Sequence, residues 1–141
     1  MIDYPQLKTE LETDPTGRGY APHLAVGNHD QCARLLNEIL ETIDINRDLV
    51  PSYEVLNAIV PAEWASLTAQ EKSRIEMMLS VLTIMVNGIN TRDAFLAAFG
   101  PGTTTRANLG ALQKRKGSRG EQLFGSGTTI MPTDIAIALT V

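Results

Sequence analysis

The sequence is short of the residues that carry covalent chemistry. Cys32 is its single cysteine, so no disulfide can form within the chain, and a reducing compartment is the natural setting. His23 and His29 are its only histidines, which leaves few acid–base options. The motifs H-E-x-x-H and G-x-S-x-G, the P-loop and the dinucleotide fingerprint are all missing. His23, His29, Asp30 and Cys32 come nearest to a ligand set, but zinc sites pair two close-spaced sets and no second set follows. The reading is of a protein that is not an enzyme, with no catalytic residues, no metal and no cofactor. Long apolar runs are missing as well. None reaches the ~18 residues needed to cross a bilayer, and the opening MIDYPQLKTE has neither the basic nor the apolar region of a signal peptide. No membrane partner is expected. Finally, period-2 alternation never persists beyond a few residues, so strands are not expected.

What is present predicts helices. At 141 residues, 43% hydrophobic and 20% charged, the chain has the composition of one globular domain, taken as residues 1–141. Its organising stretch is Thr68 to Gly88. Ile75, Met78, Leu79, Leu82, Met85 and Val86 fall on one helical face, and Met77, Val81 and Ile84 supply a second. Thr68 and Glu71 fit a capping box, and Asn87-Gly88 fits a C-cap. This predicts a central helix over about 68–87, wrapped by its neighbours.

The other helices are shorter. Asp3 or Tyr4 caps one that buries Leu7 and Leu11. Thr13 to Pro22 is an ordered loop around a buried Tyr20, where Arg18 between Gly17 and Gly19 suits docking on carboxylates or carbonyls. Asn28 caps a helix reaching Thr42 with Cys32 on its buried stripe, and Asp44 to Val50 connects it to a helix at Ser52. Trp64 follows Pro61 in a short helical turn and plugs the core beside Leu67. Further helices run from Arg92 to Phe99, from Thr104 to Lys114, from a capping box at Ser118 and Glu121, and from Pro132. The expected fold is all-α, a compact bundle of about eight mostly short helices around the central one.

Charge is unevenly spread. Residues 1–71 hold twelve acidic and four basic side chains, and residues 72–141 hold four acidic and eight basic. Arg106, Lys114, Arg115, Lys116 and Arg119 form the basic cluster, with KRKGSR read as an exposed glycine turn. The short segment after it spends its positions on Gly120, Leu123 and Phe124, leaving too few polar side chains to read base edges. Non-specific phosphate contact, or an acidic protein surface contributed by another copy or a neighbour, stays open.

Five stretches together resemble a family of small virion structural proteins of tailed bacteriophages: LKTELETDPTGRGYA (Leu7 to Ala21), LLNE (Leu35 to Glu38), AEWASLT (Ala62 to Thr68), FGPGTTTRANLGAL (Phe99 to Leu112) and SRGEQLFG (Ser118 to Gly125). All but LLNE match, in order, that family's TDP-x-x-RGY loop, A-E-aromatic-x-x-L turn, G-x-G-[ST]-x-T step and S-R-x-x-[EQ]-L segment. Thr16 departs from the usual Leu, and QLFG replaces LGL. The resemblance implies a head–tail connector or neck protein, made in the host cytoplasm and residing in the virion. It would form a homo-oligomeric ring beside portal or tail components. Arg18, Arg106, Lys114, Arg115, Lys116 and Arg119 are the candidate interaction residues. The alternatives are a nucleic-acid-associated accessory phage protein using residues 106–119, and a small phage enzyme or inhibitor with an unrecognised site.

Overall fold

The computed structural model describes all 141 residues. In chain order the elements are α1 (Tyr4–Thr13), α2 (Ala21–Ala25), α3 (His29–Asn37), β1 (Ile39–Asn46), β2 (Leu49–Pro51), α4 (Ser52–Ala58), α5 (Pro61–Ala65), α6 (Ala69–Leu79), β3 (Thr83–Met85), α7 (Ile89–Ala98), α8 (Thr104–Leu112), β4 (Lys114–Ser118), α9 (Arg119–Phe124) and α10 (Pro132–Thr140). They form two compact units. A terminal unit joins Met1–Ile45 to Lys116–Val141, and an inserted unit spans Asn46–Arg115.

The fold is therefore mixed α/β, with two small antiparallel sheets, and the all-α expectation is wrong. The central helix is the largest error. Its cap forms only by half, the Thr68 hydroxyl accepting the Glu71 amide at 3.1 Å while the Glu71 carboxylate meets that hydroxyl and not the Thr68 amide, and α6 stops at Leu79. Thr83, Ile84 and Met85 then form β3, paired with β2 in the register Leu49–Met85, Val50–Ile84 and Pro51–Thr83. An apolar run fits a helix and a strand equally well by periodicity. Here the β-branched residues and the buried alternation of Ile84 and Val86 decide for the strand. The helix expected to reach Thr42 similarly ends at Asn37, and β1 follows, burying Ile43 and Ile45 on alternate positions. KRKGS is not an exposed turn but β4, the partner of β1. Gly117 is buried there, and a Cβ on it would overlap the Ile45 side chain.

In the terminal unit α10 packs on α1 and α3, and α9 packs on α3. Their shared core is Leu7, Leu11, Tyr20, Cys32, Ala33, Leu36, Ile130, Ile135 and Ala138. The Asp3 carboxylate caps α1 by accepting the Gln6 amide at 2.9 Å. Asp14 ends α1 in the left-handed region at φ 41°. Its carboxylate then accepts the Arg18 and Gly19 amides at 2.6 and 2.7 Å, which folds TDPTGRG into a closed loop and delivers Tyr20 to the core. The side chain of Asn37 imitates a strand: it donates to the Ile130 carbonyl and accepts the Ile130 amide, both at 2.8 Å. Cys32 is fully buried with its Sγ near the Tyr20 carbonyl, and burial pushes its thiol pKa up. A thiol reagent is expected to label it only after denaturation, and fast labelling of the native protein at neutral pH would contradict that burial.

In the inserted unit the core is Val50, Val55, Ile75, Ile84, Val86, Phe95 and Phe99, with Trp64 and Leu67 partly buried against it. Thr103 gives α8 no side-chain cap. Glu63 of α5 supplies it instead, its carboxylate accepting the Thr104 and Thr105 amides at 2.9 and 2.7 Å. The buried Thr105 hydroxyl accepts the Val60 amide at 2.9 Å. Hydrogen bonding to the Thr105 hydroxyl and then to these amides holds the Glu63 pKa below its ordinary 4.5, against a smaller opposing effect of desolvation. A depressed carboxylate pKa stabilises the fold in full above the unfolded value, and that contribution is lost as pH falls through the folded value. Glu63→Gln should therefore lower the unfolding midpoint near neutral pH, and the gap from wild type should shrink below about pH 4. A gap of constant size from neutral pH to about pH 3 would contradict the cap.

Candidate functional site

The six basic residues singled out in the sequence do not form one patch. Arg18 is spent inside the terminal unit: its Nη2 donates to the Leu35 carbonyl at 2.9 Å and to Glu38 Oε2 at 2.6 Å. Arg119 opens α9 and turns inward, giving Nε to Glu10 Oε1 at 2.9 Å and Nη2 to Glu10 Oε2 at 2.7 Å. That hydrogen bond to Glu10 is the main reason the Arg119 pKa rises. Lys116 pairs with Asp44 at 2.9 Å, which raises the lysine pKa. Lys114 is exposed and Arg115 half-buried on the same strand. The acidic partner sought on another molecule is thus partly found within the chain, at Glu10 and Asp44.

These contacts show what the five stretches do within the fold. The loop around Asp14 sends Arg18 to the LLNE segment at Leu35 and Glu38. Glu10 of the first stretch meets Arg119 of SRGEQL, and Glu63 of AEWASLT caps GTTTR at Thr104 and Thr105. Ser118 and Glu121 close their capping box as expected, with the Glu121 amide on the Ser118 hydroxyl at 3.1 Å and Glu121 Oε1 accepting the Ser118 amide at 3.3 Å. The second Glu121 oxygen accepts the Gly127 amide at 2.8 Å. Polar residues of each stretch fasten parts of the fold that lie far apart in sequence.

Arg106 has a different setting. It lies on α8 with Leu109 and Gly110, and with the C-cap Gln113, beside a cavity of about 290 Å³, whose other walls are Val55, Val86 and the α7 residues Arg92, Phe95 and Leu96. Arg92, Phe95 and Leu96 are spaced i, i+3, i+4, and Arg106, Leu109, Gly110 and Gln113 repeat that spacing with one further turn, so each helix offers one face. Neither guanidinium has an ion pair or side-chain hydrogen bond in the chain. Sequence reading missed Arg92. The signal was there in the repeated Arg-x-x-apolar spacing of two adjacent helices.

The inserted unit also exposes large apolar side chains. Leu49 and Met85 are cross-strand partners pointing outward from the β2–β3 ribbon, while Val50 and Ile84 point inward. Leu82, expected at the centre of the core, is 92% exposed, and Val81, Tyr53 and Ile89 of the same unit are exposed too. The Ser52 amide and hydroxyl donate to the Leu82 and Val81 carbonyls and fix this turn against the start of α4. No three His, Cys, Asp or Glu side chains converge as a metal site would require. No family model, no curated protein and no solved structure matches the chain.

Proposed function

We propose that the chain is a structural protein of a tailed-phage virion, a head–tail connector or neck component that assembles with further copies of itself into a ring beside portal or tail proteins. The five resembling stretches motivate this reading. The observation that carries it furthest is the set of exposed apolar side chains about the β2–β3 ribbon, where Leu49 and Met85 are cross-strand partners and Val81 and Leu82 lead into β3, since apolar side chains gathered at a surface mark a place where protein meets protein. A ring needs a contact between two different faces of the same chain, repeated until it closes. The internal pairing of Lys116 and Arg119 weighs against the nucleic-acid alternative, because it takes two of that reading's basic groups out of play.

The test is the mass of the purified protein at low and high salt, with and without DNA. The expected result is an oligomer several times the 15.3 kDa chain mass that survives high salt, reflecting an apolar contact, and that Leu82→Glu/Met85→Glu reduces to smaller species. A protein that stays monomeric at roughly tens of micromolar and shifts only on adding DNA overturns the reading in favour of the alternative.

A further inference from the structure

We infer that the cavity between α7 and α8 is a binding site for a short peptide segment in which a carboxylate lies beside an apolar side chain, supplied by an acidic protein partner. Two features of the cavity set that chemistry together. Its floor is apolar, made by Val55, Val86, Phe95, Leu96 and Leu109, and its cationic groups are Arg92 and Arg106. Both guanidiniums are without a carboxylate or carbonyl partner in the chain, and no acidic residue lines the cavity. Arg18, Arg47 and Arg119 are paired, with Glu38, Glu54 and Glu10, whereas Arg34 and Arg74 are unpaired like Arg92 and Arg106 but line no part of this apolar cavity.

Size and shape narrow the ligand. A volume of about 290 Å³ lies at the small end of ligand pockets and suits one or two side chains. Gly110 lines the cavity, and a Cβ at that position would enter open space with nothing within 4 Å, so a larger side chain can be placed there. Bare phosphate would leave the apolar floor wet, and a sugar–phosphate backbone offers nothing apolar to seat on it. An apolar side chain on the floor, with a carboxylate at the guanidiniums, satisfies both parts, and arginine grips carboxylates with paired hydrogen bonds. Arg106 also lines a second, more open hollow with Pro101, Gly102, Thr103 and Thr104, along which an extended segment continues.

The experiment uses the isolated full-length chain and short synthetic probes, so its outcome does not depend on the virion reading. A fluorescently labelled six-residue peptide alternating Leu and Glu is titrated against its Leu/Gln counterpart and against a short single-stranded DNA. The Leu/Glu peptide should bind at least about ten-fold tighter than the Leu/Gln peptide. Arg92→Gln/Arg106→Gln should weaken it by at least about ten-fold, and Arg92→Lys/Arg106→Lys by much less. Gly110→Leu fills the cavity without touching either charge and should also abolish binding, with circular dichroism confirming that each variant is folded. The site is overturned by equal affinity for the two peptides, by binding that the glutamine or leucine variants leave intact, by tighter binding of the DNA, or by no peptide binding up to millimolar concentration.

Discussion

Arg119→Ala is expected to destabilise the protein by about 3–5 kcal/mol, the range found when one partner of a buried ion pair is removed. The argument rests on what is left behind. Glu10 is only 3% exposed, and its two oxygens are held by the Nε and Nη2 of Arg119, with the Tyr20 hydroxyl donating to Oε1 at 3.1 Å. Without the guanidinium, a buried carboxylate keeps a single hydroxyl donor and no counter-charge. Tyr20 stays protonated as that donor: burial first, then the neighbouring Glu10 charge and the hydrogen bond to it, push its phenol pKa far above the usual 10.

The pair itself is not a large source of stability, because desolvating both charges offsets most of their attraction. Glu10→Met/Arg119→Met should therefore recover most of the loss and unfold within about 1–2 kcal/mol of wild type. Urea unfolding of the wild type, the single and the double variant measures this directly. A single variant costing less than about 1 kcal/mol would show that Glu10 finds water when Arg119 is gone. What the ion pair contributes in either case is register, since it ties α1 to the start of α9 across 109 residues of sequence.

Features written locally in the sequence were legible. The caps at Asp3, Asn28, Thr68 and Ser118 form because the capping oxygen and the amide it accepts lie only three residues apart. Burial of Leu7, Leu11, Tyr20 and Cys32 followed from an apolar stripe and a rigid loop. The strands were not legible, each for its own reason. In β1 the positions Ile39, Leu40 and Ile43 continue the helical stripe of α3, so the alternation of Ile43 and Ile45 was masked. In β4 the residues KRKGS have low strand propensity, and pairing with β1 overrides it. Arg119 looked like part of a solvated charge run because its partner is remote. The cavity was half visible: Arg106 stood out within a basic cluster, whereas Arg92 gains its meaning only when α7 and α8 come side by side.

The sharpest contrast between the helical reading and the structure lies in two leucine-sized residues seven positions apart. Ile75 is 1% exposed, in the core with Val55, Ile84 and Phe99, and Ile75→Ala is expected to cost about 2–5 kcal/mol through lost burial and the cavity it leaves. Leu82 follows α6 in the turn before β3 and is open to water, so Leu82→Ala should change stability by no more than about 0.5 kcal/mol. A continuous helix over 68–87 would bury both on one face and make the two substitutions comparably severe. Equal losses would thus restore the central helix, and a loss confined to Ile75→Ala fits the break at Ser80 and the turn into β3. The comparison needs dilute protein. If Leu82 lies in a contact between copies, its truncation leaves the monomer's unfolding midpoint in place and instead lowers the concentration dependence of the oligomer's.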